Sequence, residues 1–332
     1  PTCARSGATP MDERTLALLE FNRIREGVAG YCVSPQGAAL LAGQPVDTDA
    51  NRIAERLAMS TTLHHAIATS AAAPSFDFPE TAGALAALRK QGASLDGEEL
   101  AGIGRTILSS LKLRRYVLKA LPVADAGSPA ARLADIARGI PDLSALSRSI
   151  FHTVDHDGQL REKDLPGLTA IRDRIRRQRE DTEKAARALM DDENARTWWQ
   201  ANLPAQRDGR LVLPIKTQYR GRVPGIVHEM SASGSTAFVE PLAIVEMNNA
   251  VVQEEAAYRQ EVHRILRALS AEAAGHLGDL GAMSDAVAAL DCLLARARWA
   301  AAHACVPAAR CADGFRLVLA RHPLLGPGAV PI

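Results

Sequence analysis

Six cations, Arg196, Arg207, Arg210, Lys216, Arg220 and Arg222, fall between Asn194 and His228, where the only carboxylate is Asp208. Cations gathered in a short segment suit contact with a phosphate backbone, because each phosphate they neutralise releases a condensed counterion. Gly209, Gly221, Gly225 and Gly234 punctuate the stretch and would let backbone N–H groups come close to a phosphate. The same charge also suits a solvated surface hairpin, so both readings stand. Trp198 and Trp199 follow Arg196 closely. They could stack on bases, but large apolar rings with one N–H donor fit better as anchors at the base of a small sheet.

Other residue types point away from catalysis. His64 and His65 are adjacent, so on a helix they diverge and cannot grip one metal. His228-Glu229 lacks a second histidine four residues on, as a zinc-protease helix would require. Ser231 and Ser233 lie near His228 in turn-like sequence, and nearness along the chain does not build a catalytic triad. Asp155-His156-Asp157-Gly158 has the texture of a calcium loop, with Thr153 first and Asp164 twelfth. The uncharged first position and the Asp in place of a bidentate Glu make a plain β-turn the better fit. Neither a G-x-x-x-x-G-K-[ST] loop nor a G-x-G-x-x-G turn after a strand occurs. The five cysteines, Cys3, Cys32, Cys292, Cys305 and Cys311, are odd in number and contain no C-x-x-C. That argues against a disulfide framework or a zinc knuckle and leads us to expect a reducing, cytoplasmic compartment. The expected set is therefore a nucleic-acid-binding one, with no catalytic residue, no metal ligand and no cofactor.

The elements that must position these residues follow from composition and periodicity. The 332 residues are 47% hydrophobic and 23% charged, with a formal net charge of +1. A globally basic nucleic-acid binder is excluded, and only a local patch remains open. Aromatics are 4%, while Ala and Leu abound, which favours helix. No apolar run reaches the roughly 18 residues of a membrane span. Pro1 to Pro10 lacks a charged head followed by an apolar run, so no signal peptide is expected and residues 1–11 read as a disordered tail.

The expected fold is mainly α: a helical core plus long antiparallel lever helices, with a small antiparallel β clamp inserted at their tip. Residues 12–163 form the core, with a helix start at Ser34-Pro35 and further helices over Ile53 to Ile67 and Leu100 to Leu121. A small β-element is expected over Ser149 to Val154, returning through Gln159 to Lys163. Residues 164–195 are the outgoing lever, capped by Asp164, with a stripe of Leu168, Ile171, Ile175, Gln178, Thr182, Ala185 and Leu189. Its Arg172, Arg174, Arg176, Arg177 and Arg179 mix with acidic neighbours, the mark of an exposed face held by ion pairs. Residues 196–240 are the clamp. Its strands are Leu211 to Lys216, confined by Pro214 to an edge or bulge, Gly225 to Met230, and Thr236 to Val239. Residues 241–306 hold the returning lever and core helices. Their stripes run Ile244, Asn248, Val251, Glu255, Tyr258, Val262, Ile265, Leu269 and then Met283, Val287, Leu290, Leu294, Ala297, Ala301, Ala304.

Several segments, taken in order, resemble the second bacterial MutS subfamily, here MutS-two. They are Thr15-Leu16-Ala17-Leu18-Leu19-Glu20-Phe21 with Tyr31-Cys32-Val33-Ser34-Pro35-Gln36-Gly37, then Arg207 to Lys216, then Gly225 to Pro241. Ala289-Leu290-Asp291-Cys292-Leu293-Leu294-Ala295 resembles a helix general to the MutS superfamily, and Arg321-His322-Pro323-Leu324-Leu325 the strand that opens its ATPase domain, which implies that residues 307–332 are first strands leading into an ATPase domain. The resemblance implies core, lever and clamp without the mismatch-reading and connector domains of repair MutS. It implies a non-catalytic fragment that grips branched or duplex DNA. In the full-length protein it implies a homodimer, an ATPase using ATP and magnesium, a small MutS-related nuclease domain, and suppression of homologous recombination. The family is also associated with rescue of collided ribosomes, where the clamp would meet RNA or ribosomal protein. A third reading is a scaffold and dimerisation arm that binds nothing by itself. No membrane partner is implied.

Overall fold

The computed structural model describes residues 13–68, 74–121, 125–309, 314, 316–326 and 329–332. The expected tail over residues 1–11, with Cys3, and also Cys311 lie outside them. The helices before the sheet are α1 (Glu13–Leu18), α2 (Phe21–Ala29), α3 (Pro35–Gly43), α4 (Ala50–Ala68), α5 (Ala82–Leu88), α6 (Gly97–Ala120), α7 (Pro129–Arg138), α8 (Ser144–Thr153) and α9 (Pro166–Met190). Four strands follow, β1 (Ala205–Arg207), β2 (Arg210–Lys216), β3 (Gly225–Met230) and β4 (Thr236–Pro241), then α10 (Leu242–Gly275) and α11 (Leu277–Ala302). The fold is mainly α with one small antiparallel sheet. Among the described residues no helix is long and apolar enough to cross a membrane.

The chain divides into two compact units, one of Pro1–Gln159 with Leu269–Ile332 and one of Leu160–Ala268. Helix starts in the first unit follow ordinary capping chemistry. Ser34 Oγ accepts from Gly37 N at 3.1 Å, with Pro35 in the first turn of α3. Asp49 Oδ1 accepts from the N–H groups of Asn51 and Arg52. Asp96 and Glu99 form a reciprocal capping box at α6. Each satisfies N–H groups that a helix leaves without partners. The core centres on α6 and α11, where Leu100, Ile103, Ile107, Leu113, Leu290 and Leu294 are fully or almost fully buried.

The two ends of this unit are tied by one carboxylate. Asp291, fully buried on α11, accepts from Val33 N at 3.0 Å, Ser34 N at 2.8 Å and Ser34 Oγ at 2.6 Å. It therefore caps α3 from across the core, against the partial positive charge of a helix N-terminus. Gly37 passes so close that a Cβ there would fall 2.4 Å from Asp291 Oδ2. Cys292 donates its thiol to the Gly37 carbonyl at 3.2 Å.

Several expectations need correction. Of Ser149 to Val154, Ser149 to Thr153 is helix and only Val154 makes a β-bridge, because Leu146, Ser147 and Ile150 recur at helical spacing and bury one face. The β-branched residues Ile150, Thr153 and Val154 suggested strand, but propensity yields to packing. Asp155 to Gly158 is a turn, with Gly158 at φ 82° and Asp155 Oδ1 accepting from Asp157 N. Asp164 does not cap α9: it ends a short 3-10 turn and pairs with Arg161, while Leu165 occupies the cap position. Helix α11 stops at Ala302, before Ala304, which adopts φ 49°. Among the described residues of 307–332 no strand forms. Ala320 and Ile332 exchange two backbone hydrogen bonds, and Pro323–Leu325 is a 3-10 turn; one isolated pair has no neighbouring strand to extend it.

In the second unit, α9 and the first 27 residues of α10, Leu242–Ala268, run antiparallel. Arg174 grips Glu254 with two bonds at 2.9 and 3.0 Å, Arg179 reaches Glu255, and Tyr258 donates to Glu162 at 2.7 Å. Arg172 pairs with Glu162, Arg176 with Asp173 and Arg187 with Glu183. Helix α9 thus spends most of its arginines on ion pairs, and Leu168, Thr182, Ala186 and Met190 form its buried edge.

Candidate nucleic-acid interface

The sheet has the order β1-β2-β4-β3, antiparallel throughout. Leu213 and Ile215 of β2 and Ala237 and Val239 of β4 pack with Ala186 and Met190 of α9, Ile244 of α10, and Trp199. Trp199 is 9% exposed and donates its indole N–H to the Met190 carbonyl at 3.1 Å. It is an anchor, and Trp198 packs partly against the same core.

Pro214 is compatible with an interior strand for a local reason. Its carbonyl accepts from Gln200 N at 2.9 Å, on the flank away from β4. Backbone N and C=O of one strand residue face the same side, so the missing N–H removes no bond to β4. The expected edge or bulge is not needed at β2. The bulge lies in β3, the edge strand, where the register slips between Val227 and Glu229.

That bulge aims His228 at a buried acid. Glu240 is fully buried; it accepts from Arg210 Nη1 at 2.7 Å, from His228 Nε2 at 2.6 Å and from Asn248 Nδ2 at 2.9 Å. Asn248 also exchanges bonds with the Leu211 backbone, and Arg210 Nη2 donates to Asn249 at 2.6 Å. Burial pushes the Glu240 carboxyl up, but hydrogen bonds from Asn248, His228 and Arg210 outweigh it and hold the group below its ordinary value. A depressed folded pKa gives stability that is present above the unfolded value and lost as pH falls through the folded one. The second unit is therefore expected to weaken on acidification below the ordinary glutamate value of about 4.3. Glu240→Gln should flatten that slope, read as urea midpoints against pH by the fluorescence of Trp198 and Trp199 in a Trp299→Phe background. Parallel slopes in the two proteins would remove Glu240 as the source.

The structure separates the six cations into two groups. Arg207 and Arg210 are committed within the sheet. Arg207 lies 4.0 Å above the Phe238 ring and 2.8 Å from Glu229, and Arg210 is held by Glu240. Their counterions, Glu229 and Glu240, fall just beyond the segment whose charge was counted. Arg196, Lys216, Arg220 and Arg222 gather instead at the opposite end of β2. Lys216 N donates to the Trp198 carbonyl at 2.8 Å and Lys216 Nζ to the Thr197 carbonyl at 2.9 Å, which draws Arg196 alongside. Thr217–Arg222 then forms a 3-10 segment anchored by Tyr219 and, just beyond it, Val223. Arg196, Arg220 and Arg222 are exposed and, among the described residues, their side chains have no ion-pair or hydrogen-bond partner.

The β3–β4 turn closes over the same end. Thr217 N donates to the Ser235 carbonyl at 3.0 Å and Thr217 Oγ1 to the Gly234 carbonyl at 2.6 Å. Gly234 takes φ 68°, and Ser231, Ser233 and Ser235 form a chain of hydroxyls. Neither Thr217–Arg222 nor Ser231–Ser235 contains an acidic residue. Three exposed carboxylates, Asp191, Asp192 and Glu193, do precede Arg196 where α9 ends, so the positive surface is strongest around Arg220 and Arg222. Exposed cations, hydroxyls and a glycine turn on a rigid sheet can bind phosphate oxygens without reading bases. Sequence reasoning missed the Glu240 network; its one visible signal was Asn248, a polar residue between Ile244 and Val251 on the α10 stripe.

No family model matches the chain. Curated relatives do. Endonuclease MutS2 of Gemmatimonas aurantiaca is 33% identical over 324 residues, 95% of this chain and 38% of that protein. Endonuclease MutS2 of Pelotomaculum thermopropionicum is 31% identical over 335 residues, 97% and 40%. Endonuclease MutS2 of Symbiobacterium thermophilum is 32% identical over 339 residues, 97% and 40%. The chain spans about 40% of the length of the curated relatives it matches.

Proposed function

We propose that this chain is part of a MutS2-type protein of the MutS superfamily, and that its second unit is a non-catalytic grip for branched or duplex DNA. The observation that carries this reading is the assembly of Arg196, Lys216, Arg220 and Arg222 beside the serine turn at one end of the sheet. The similarity to the MutS2 relatives over nearly the whole chain supports the family, and the long ion-paired helices give the sheet a stiff mount. In the whole protein this grip would be linked to ATP hydrolysis, homodimer formation and restraint of homologous recombination. Nuclease chemistry would reside in parts of the relatives outside the matched residues.

The test is fluorescence anisotropy of the chain with a four-way junction, plain duplex and structured RNA across a salt series. The proposal expects DNA binding that weakens steeply with salt, tightest for the junction. Tighter binding to RNA than to either DNA would overturn it in favour of a ribosomal target. No binding by the folded chain to any of the three would make it a scaffold arm.

A further inference from the structure

The first unit contains a pocket of about 650 Å3 between α2, α4 and α11, within the range that small-molecule sites occupy. Its wall is mostly apolar, with Phe21, Ile24, Val28, Leu41 and Leu57. Three guanidinium groups line it as well, Arg25, Arg56 and Arg296, against one carboxylate, Asp47. Asp47 is already engaged by Arg56 at 3.3 Å and by Arg52 at 3.0 Å. Arg25 and Arg296 share Gln44 instead: Arg25 donates to its carbonyl at 3.2 Å and Arg296 to its side-chain oxygen at 2.6 Å. Among the described residues neither has a carboxylate within ion-pair distance. Burial works against the charge of Arg296, and a part-buried cation without an anion is costly. Ser60 Oγ, also on the lining, is shielded from solvent and has no hydrogen-bond partner among the described residues.

We infer that this pocket binds a small amphipathic anion, with an alkyl or aryl body against the apolar wall and a carboxylate or phosphate head on Arg25 and Arg296. The two guanidiniums have donors to spare, because each carries five N–H groups and the bonds to protein oxygens use only some of them. A planar fork of donors matches either head group. The unpartnered Ser60 hydroxyl supplies a further donor or acceptor within the same lining. The pocket lies wholly in the first unit, so this inference is independent of the nucleic-acid reading.

The probes are octanoate, octyl phosphate and the neutral 1-octanol, each displacing anilinonaphthalene sulfonate followed by its fluorescence. The expected result is displacement by both anions, at least about tenfold tighter than by 1-octanol, since a charge-assisted bond distinguishes them. The tighter of the two anions names the preferred head. Arg296→Met and, separately, the rim variant Arg25→Met should lose that preference while leaving 1-octanol binding unchanged. Each variant is first checked for a native melting curve, and Arg25→Met carries the test if Arg296→Met does not fold. Equal binding of octanoate and 1-octanol, or an anion preference that survives Arg25→Met, would overturn the assignment.

Discussion

Asp291→Ala should cost the first unit about 3–5 kcal/mol, a large part of the stability of an ordinary domain. The substitution strips the acceptor from Val33 N, Ser34 N and Ser34 Oγ at once, and these groups lie where little water can replace it. Donors left unsatisfied in an interior cost roughly 1–3 kcal/mol each, more than an intact hydrogen bond contributes. Asp291→Asn should recover part of the loss, because Oδ2 alone lies within 3.0 Å of all three donors and only Val33 N also meets Oδ1, where the amide NH2 would stand. Ser34 would still cap Gly37 N, so α3 itself should persist while its attachment to α11 loosens. Urea denaturation followed by circular dichroism reads the loss. A midpoint within error of the parent for both variants would mean that α3 is held by its apolar contacts alone.

The second large effect concerns the exposed cations. Arg196→Gln, Arg220→Gln and Arg222→Gln combined should weaken DNA binding on the order of a hundredfold at about 0.1 M salt, because each lost phosphate contact removes about 0.9 from the slope of log K against log salt. The slope itself should fall by up to about three. The same experiment on Arg207→Gln with Arg210→Gln is the informative contrast. Those residues face Glu229 and Glu240, so their replacement should lower the melting temperature of the second unit more than the salt slope. If the two sets change binding alike, the grip is not localised at the serine-turn end of the sheet.

The helical stripes were legible because burial leaves a periodic mark. Leu168 and Thr182 on α9, and Ile244, Asn248, Val251 and Leu269 on α10, are the stripe residues that are buried; the rest of those two stripes is half-buried, and α9 also buries Ala186 and Met190, each one position beyond the stripe residues Ala185 and Leu189. The strands Gly225–Met230 and Thr236–Pro241 were legible from the glycine and serine punctuation that bounds them. What stayed hidden were pairings between distant residues. Glu240 reads as an unremarkable acid before a proline until β2, the bulge in β3 and α10 bring three donors to it. Ser34 lies in a segment that resembles MutS-two and Asp291 in one that resembles a helix general to the MutS superfamily, but nothing in either segment says that one caps the other. Counting charge along the chain also misjudged Arg207 and Arg210, since their carboxylate partners come from other strands.

The first unit is discontinuous along the chain, and this sets a clock during synthesis. Ser34 leaves the ribosome 257 residues ahead of Asp291, which at about 5–20 residues per second is roughly 10–50 s. Over that interval α3 has its own serine cap but no carboxylate to dock on, and apolar side chains such as Leu41 and Leu63 wait for α11. The second unit, continuous from Leu160 to Ala268, emerges complete within the same interval. The nascent chain thus carries an inserted unit able to finish folding while the one that encloses it in sequence is still unsealed, and it is in that window that a chaperone has most to protect.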